Sequence, residues 1–595
     1  MPEDEEDLIE VIRGYALANA VRHGGKAELK PVLSRVFAEN PELRNRARDL
    51  IRIVEDVVEE VNSKPVEEQD RLLRERYPGL LEAAGEAEAG EKALPPLPDA
   101  YRYGRVVTRF SPNPDCVLHI GSLRAIILSH EYARMYDGRF ILRFEDTDPR
   151  LKKASLEYYQ AIRDDLGWLG CTWDEEYIQS DRIPLYYEYA SRLLRLGGGY
   201  VCTCGKEEFK SKVLRGLPCP CRSLSEKAQE ERWLHMLDGG FGEGEAVYRV
   251  KTDLSHPNPA VRDWPAFRII DPGRYPHPRV GGKYRVWPLY NFACGVDDHL
   301  LGITHVIRGK EHLTNTVRQR YLYSHFGWSY PETIHYGRLR MVDADLSKSS
   351  IIRRVTGGEA SGFDDPRLAT LKALRRRGIS PQALRLLILD IGPRPVDATI
   401  SWENIYAYNR RILEPSSKRY LYVEDPVTLV VEGLPGDLEA RIPFHPSRPE
   451  MGYRIIHVKP RSDGSIRLLV ARSDLSLIRD SKHFRLMGLL NAYHMGVGGS
   501  FGGNGNDGGG EAYASYEGRG HEEARGRGIP IIQWVNPGDC VDVGVTMPSA
   551  YISRGKGEKA LQGVRVDETV QLIRFGFARV DRVEEGSVHL YYAHK

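Results

Sequence analysis

The tightest constraint on what this chain can fold into lies between residues 105 and 144. Arg105-Val106-Val107-Thr108-Arg109-Phe110 has the content of a β-strand, and Ser111-Pro112-Asn113-Pro114 follows as a loop that its prolines bar from any helix. The word His119-Ile120-Gly121-Ser122 then opens a helix predicted over residues 122–135, with Leu123, Ile126, Ile127 and His130 at helical spacing. Arg139-Phe140-Ile141-Leu142-Arg143-Phe144 reads as a second strand. A strand-helix-strand unit of this kind belongs to a parallel sheet, and it puts His119 and Gly121 at the mouth where nucleotides bind. Glycine there lets the backbone approach phosphate, and a helix N-terminus favours negative charge. Taken alone, the four-residue word is more often a helix start than a catalytic site, so its flanks decide.

A second word, Leu346-Ser347-Lys348-Ser349, lies far downstream. Between the two stand the acidic run Phe144-Glu145-Asp146-Thr147-Asp148-Pro149, then Leu289-Tyr290-Asn291-Phe292-Ala293, and then residues 296–311, Val-Asp-Asp-His-Leu-Leu-Gly-Ile-Thr-His-Val-Ile-Arg-Gly-Lys-Glu. With these segments the chain closely resembles the glutamyl-tRNA synthetases, class I aminoacyl-tRNA synthetases in which two such words grip ATP from two sides. The resemblance runs from about residue 100 to the C-terminus and is closest to the archaeal and eukaryotic branch. It implies an α/β fold: a class I, Rossmann-like catalytic domain with an acceptor-binding insertion, a helical N-terminal extension and a C-terminal β-barrel region.

The organisation along the chain is consistent with that. Residues 1–95 carry Leu8, Val11, Ile12, Tyr15 and Ile51, Val54, Val57, Val58 at helical spacing and end in Leu94-Pro95-Pro96-Leu97-Pro98, a helical appendage on a stiff linker. Relatives use such extensions to dock other proteins, so a protein partner and a plain structural cap are both open. The catalytic domain is expected over 96–200 and 290–355, split by an insertion over 201–289. A helical domain, 356–417, follows. From 418 to 595 the pattern turns to short β-branched runs, Tyr420-Leu421-Tyr422-Val423, Val427-Thr428-Leu429-Val430-Val431 and Ile466-Arg467-Leu468-Leu469-Val470, which fit β-barrels that read the anticodon in this branch. The glycine-rich segment 496–528 is expected to be a mobile loop inserted in a barrel.

The net charge of +1 hides an uneven distribution. Residues 1–95 hold 14 Lys and Arg against 22 Asp and Glu, a net of −8, which leaves 70 against 61, or +9, for the rest. A moderately basic body is what a phosphate backbone requires. The chain begins with an acidic run, Glu3-Asp4-Glu5-Glu6-Asp7, and no stretch approaches a membrane span, so a soluble cytoplasmic protein with no membrane partner is expected. There is no complete Walker A word and no dinucleotide glycine pattern, which weakens P-loop ATPase and dehydrogenase readings.

Four of eight cysteines fall together as Cys202-Thr203-Cys204 and Cys219-Pro220-Cys221. In a reducing compartment such a cluster reads as metal before disulfide, and four thiolates suit a closed structural Zn²⁺ site, with three-ligand coordination or an empty site as alternatives. Relatives carry cysteine pairs here, in the insertion that holds the tRNA acceptor end. Cys116, Cys171, Cys294 and Cys540 read as ordinary thiols.

The resemblance implies that L-glutamate attacks ATP, with Mg²⁺, to give glutamyl-adenylate, and that tRNA(Glu) takes the acyl group; tRNA(Gln) as a second substrate is left open. Pro112, Asn113, Pro114, Leu118, His119, Ile120, Gly121, Ser122, Glu311, Leu346, Ser347, Lys348 and Ser349 map to ATP. His119 is the donor to phosphate, and Lys348 brings its ammonium to the departing pyrophosphate. Many relatives have lysine where this chain has Asp345, and Ser122 stands where histidine is usual. Glutamate carries one ammonium and two carboxylates, and the family positions map to Glu145 for the first, Arg109 and Arg308 for the others, Tyr290 for a hydrogen bond, and Ser111 and Asn113 along the wall. Arg308 is favoured for the side-chain carboxylate, since related glutaminyl enzymes lack it. Arg367, Arg375, Arg376 and Arg377 read as contacts to the inner corner of a tRNA. The rivals are a glutaminyl-tRNA synthetase and a catalytically inactive tRNA-binding paralogue. Arg308 argues against the first, and the intact His119, Lys348 and Glu145 against the second.

Overall fold

The computed structural model describes residues 5–22, 25–29, 31–33, 36, 47–77, 94–498 and 511–595. The chain forms two compact units, Met1–Ala93 and Leu94–Lys595. In the first, helices Glu5–Arg22, Ala47–Asn62 and Val66–Arg76 bury the apolar stripe read from the sequence, with Ile12, Ala16, Val54 and Val61 fully enclosed. Gln69, also buried, donates from Nε2 to the carbonyls of Gly25, Val61 and Lys64, which pins the turns between helices. No helix among the described residues is long and apolar enough to cross a membrane.

The second unit is built around a split parallel sheet. Strand β1 (Val107–Phe110) pairs in parallel with β2 (Arg139–Phe144), and β2 with β3 (Glu175–Ile178). Strand β4 (His305–Gly309) pairs in parallel with β5 (Glu332–Tyr336). The two ladders meet at Thr304: its N–H donates to the Val107 carbonyl at 3.0 Å, and its hydroxyl accepts from the Val107 N–H at 2.8 Å. That junction sets β4 beside β1. Helix Leu123–Met135 covers the sheet with Leu123, Ile126, Ile127 and His130 buried, as the spacing predicts. The His119 loop is braced from beyond the second word, because Ile120 N–H donates to Ala369 and Leu371 N–H donates to Leu118, each at 3.0 Å.

Between β3 and β4 an antiparallel sheet forms from Gly199–Cys202, Val247–Val250, Pro265–Ile269 and Val286–Pro288, packed around Trp233, Tyr248, Trp264, Phe267 and Trp287. Helices Leu371–Arg376, Pro381–Ile391 and Trp402–Leu413 follow the second word, the last opened by a Ser401/Asn404 capping box. The C-terminal region holds a six-stranded and a seven-stranded sheet, each with its own apolar core. The chain's entry strand Tyr422–Glu424 pairs with Ile552–Glu558, so the seven-stranded sheet closes only after the other has been completed.

Two expectations are sharpened. Residues 94–98, read as a stiff linker, belong to the second unit: Leu94 and Leu97 are buried in the core beside the parallel sheet, and Leu97 N–H donates to the Tyr136 hydroxyl at 2.8 Å. The prolines space those two leucines onto one face. Most of 496–528 that is described is also ordered structure. Leu490–Gly498 pairs antiparallel with Glu511–Gly518, and His521–Gly526 is a helical turn. Ala512 and Ala514 alternate into the core, while Gly496 (φ +156) and Gly518 (φ +143) sit at irregularities that a side chain would resist. Residues 499–510 lie outside the described residues.

Thr304→Val removes both hydroxyl bonds at the seam and leaves the buried Val107 N–H unpaired, a cost of about 1–3 kcal/mol. The expected outcome is a lower thermal unfolding midpoint, with Thr304→Ser recovering most of the loss.

Candidate active site

The C-terminal ends of β1 and β4 open onto one cavity of about 550 Å³. All six residues read as glutamate-binding line it: Arg109 and Ser111 with Asn113 from β1 and its loop, Glu145 after β2, Tyr290 at the start of helix Tyr290–Leu300, and Arg308 on β4. Of the positions assigned to ATP, Pro112, Leu118, Ser122, Glu311 and Lys348 share this lining with Asn113. Pro114, His119, Ile120, Gly121, Leu346, Ser347 and Ser349 stand outside it, and Ile120 is wholly enclosed in the core. A second cavity, about 310 Å³, shares Asn113, Glu145, Lys152, Tyr290 and Asn315 and reaches Pro265 and Pro288 of the insertion.

Beside Lys152, Glu311 and Lys348, two further sets of charges stand at or behind the cavity wall. Arg109 gives Nε and Nη2 to the two oxygens of Asp298, at 3.0 and 3.2 Å. Arg143 reaches Asp298 at 2.7 Å and Glu145 Oε1 at 2.9 Å, and Arg182 reaches Asp297 at 2.9 Å. The two guanidinium groups hold the Asp298 carboxyl well below its usual range against the opposing effect of burial. Burial raises the Glu145 carboxyl, and Arg143 and Arg109 draw it back. Arg308 is different. Its bonds go to Thr316 Oγ1 (2.7 Å), Tyr330 Oη (2.9 Å), Gln319 Oε1 (3.0 Å) and Tyr290 Oη (3.4 Å), all neutral. Two nearby histidines, His312 and His335, are pushed down to about 4, by burial first and then by the Arg308 cation.

The two sequence words come together at the rim. His119 Nδ1 accepts from the Gly121 N–H at 3.1 Å, so the ring proton of the neutral imidazole lies on Nε2. A Cβ at Gly121 would fall 2.8 Å from the His119 ring and 3.7 Å from Leu346, which is why the third place of the first word admits no side chain. Lys348 Nζ is held by Asp115 Oδ1 at 2.6 Å, a partner that sequence reasoning missed although it directly follows the proline loop 111–114. Asp345, the residue in place of a family lysine, accepts from the Ser347 N–H at 2.8 Å. Burial first and then Lys348 push His119 down to about 4. It is therefore neutral at pH 7. Because the unfolded chain takes up this proton near 6.5, the group's contribution to stability is lost as pH falls from about 6.5 towards 4.

The four cysteines of the insertion converge, their Sγ atoms all within 4.8 Å of one another. Cys202 to Cys219 and Cys204 to Cys221 are both 3.8 Å. The Cys219 thiol is pulled down to about 5, chiefly by its hydrogen bond with Cys202, and Arg232 Nη1 donates to Cys221 at 3.2 Å.

Among the arginines read as RNA contacts, Arg375 is exposed, Arg367 pairs with Asp365 through two nitrogens, and Arg376 pairs with Asp364. Arg377 is corrected. It is 1% exposed, donates to the Tyr406 hydroxyl and the Ala593 carbonyl, and ties the helices to the last strand. The helix ends at Arg376 and Gly378 (φ +81) turns the chain, which carries position 377 inward.

Comparison with known proteins gives a consistent result. Residues 105–415 match the family described as tRNA synthetases class I (E and Q), catalytic domain, and residues 417–505 match tRNA synthetases class I (E and Q), anti-codon binding domain. The chain is similar to the glutamate--tRNA ligase of Thermococcus kodakarensis, at 48% identity over 99% of this chain and 100% of that protein. It is 47% identical to that of Hyperthermus butylicus, over 97% and 100%, and 48% identical to that of Pyrobaculum calidifontis, over 96% and 98%.

The link between the two words can be read directly. Lys348→Met removes the cation that depresses His119, so the imidazole pKa should rise from about 4 and, with burial unchanged, stay below the ordinary value. NMR titration of the histidine ring protons in the full-length protein measures it.

Proposed function

Since the chain belongs to the class I tRNA synthetases for glutamate and glutamine, we propose that the 550 Å³ cavity is where it joins L-glutamate to tRNA(Glu) through a glutamyl-adenylate. The observation that carries this reading is Arg308. Asp298, Glu145 and Asp297 neutralise Arg109, Arg143 and Arg182, whereas Arg308 is 5% exposed and bonded only to neutral oxygens. A buried cation without a counter-ion calls for an anionic ligand. The backbone groups of an amino acid cancel in charge, so the surplus matches a side-chain carboxylate and not a carboxamide.

In this reading Arg308 takes the side-chain carboxylate with the Tyr290 hydroxyl beside it. Glu145 faces the ammonium through Oε2, and Arg109 faces the α-carboxylate through Nη1. One α-carboxylate oxygen attacks the α-phosphorus of ATP and pyrophosphate leaves. His119 Nε2–H donates to the phosphate oxygens, and Lys348 moves from Asp115 to the departing pyrophosphate. ATP enters with Mg²⁺, which supplies further positive charge at the phosphates. The terminal ribose of the tRNA then takes the acyl group and AMP is released. The second cavity, running from Tyr290 to Pro265 and Pro288, supports an assignment of residues 201–289 to the acceptor end. Residues 418–595 are assigned to the anticodon, and Arg367, Arg375 and Arg376 to the inner corner of the tRNA. With His119 outside the cavity lining and Lys348 held by Asp115, activation waits for the rearrangement that tRNA brings. The enzyme acts in the cytoplasm, with its tRNA.

The cysteine cluster fits zinc. Tetrahedral coordination at a Zn–S distance of about 2.3 Å sets neighbouring sulfurs about 3.8 Å apart, the separation of both cysteine pairs. Cys202, Cys204, Cys219 and Cys221 would hold Zn²⁺, which closes the two turns onto the strand Gly199–Cys202 and lends them rigidity.

Pyrophosphate exchange with glutamate and with glutamine, each with and without tRNA, tests the reading. Exchange should be confined to glutamate and should be negligible until tRNA is added. Transcripts of tRNA(Glu) and tRNA(Gln) glutamylated side by side separate a discriminating enzyme from one that serves both. Arg308→Gln should weaken glutamate by about 2–5 kcal/mol and glutamine far less; equal losses would move the selecting role elsewhere.

Purified protein should contain about one zinc per chain by elemental analysis, as one tetrahedral site requires. Cys219→Ser should lose the metal and weaken tRNA use more than ATP binding.

A further inference from the structure

Arg308 owes its un-neutralised charge to a particular neighbour. Gln319, on helix Leu313–Phe326, is 0% exposed, and its Oε1 accepts from Arg308 Nη2 at 3.0 Å and from the Tyr330 hydroxyl at 2.8 Å. Those two donors fix the amide's orientation, because Arg308 cannot accept a hydrogen bond from Nε2. The Gln319 Nε2 is then left buried without a partner. A buried amide with half of its hydrogen-bonding capacity unmet costs stability and needs a reason.

Glutamate has the same shape. At position 319 it would accept the same two bonds, and one carboxylate oxygen would replace the unpartnered NH₂. The acid fits the space and the two donors as well as the amide does. Its effect on the site would be to neutralise Arg308, as Asp298 neutralises Arg109. The other partners obey the same rule, since Thr316, Tyr330 and Tyr290 offer only hydroxyls, and His335, which faces Thr316 Oγ1 at 2.9 Å, is held neutral.

We propose that Gln319 is the positioning residue that sets the choice between glutamate and glutamine, by holding Arg308 with a neutral acceptor where an acid would fit. This deepens the reading of the cavity as a glutamate site and rests on it. Gln319 touches no substrate; it leaves the guanidinium's charge available to one.

The test uses full-length enzyme with tRNA and compares kcat/KM for glutamate and glutamine. Gln319→Glu should lower the value for glutamate about 100-fold, mainly through KM, and lower that for glutamine far less, so that the ratio between them collapses. Gln319→Met, neutral and of similar volume, should change the two together and keep the ratio within about tenfold of wild type. A Gln319→Glu enzyme with the wild-type ratio would overturn the proposal, and so would a Gln319→Met enzyme whose ratio collapses equally. Should Gln319→Glu not fold, as judged by circular dichroism, Thr316→Asp places a carboxylate against the same nitrogen, and the same collapse or its absence decides. A wild-type enzyme that activates no glutamate would instead defeat the underlying reading of the cavity.

Discussion

Asp298 lies between Arg109 on β1 and Arg143 on β2 and accepts hydrogen bonds from both, with all three side chains nearly fully buried. It comes from helix Tyr290–Leu300, beyond the whole inserted sheet, so this one carboxylate fastens the second half of the catalytic region to the first. Asp297, next to it, does the same with Arg182, Gln179 and the Tyr186 hydroxyl. Removing either partner of such a pair leaves a buried charge uncompensated, which makes the arrangement all-or-none. The rest of the site follows from it. Glu145 is oriented by Arg143, Arg109 is turned to the cavity with two of its nitrogens occupied, and Arg308, deeply buried, is bonded to neutral groups alone.

On the proposed reading of the cavity, it is the pattern of buried charge that would distinguish two amino acids of nearly the same shape. Shape cannot separate a carboxylate from a carboxamide, but a buried guanidinium with neutral neighbours can, because a neutral ligand leaves it unpaired. The hydroxyls of Tyr290, Thr316 and Tyr330 satisfy the geometry of Arg308 without satisfying its charge.

Much of the framework was legible in the sequence because it is written locally. The strand, proline loop and helix of residues 107–135, the alternation in Pro426–Glu432 and Ile466–Ala471, and the cysteine pairs each announce themselves within a few residues. The six residues mapped from the resemblance also line one cavity. What was not legible depends on partners far along the chain. Asp115 is an unremarkable acid until Lys348 meets it, Gln319 is an ordinary helical glutamine until Arg308 and Tyr330 bracket it, and Arg377 looks like the other arginines of its run until Ala593 and Tyr406 enclose it. In the described flanks of the glycine-rich segment, a composition that suggests slack also serves strands with bulges, as in Leu490–Gly498 and Glu511–Gly518.

The backbone bonds that brace the His119 loop have a mechanical consequence. Ile120 and Leu118 are tied to Ala369 and Leu371, and Leu371 is the first residue of the short helix that carries the exposed Arg375. Two hydrogen bonds thus join the imidazole's own loop to a surface element more than a turn away. A side chain at Gly121 would meet the His119 ring, so the close turn at that point depends on glycine. A shift of that helix without the His119 loop would break both backbone bonds, so the two pieces of chain keep their places together or not at all.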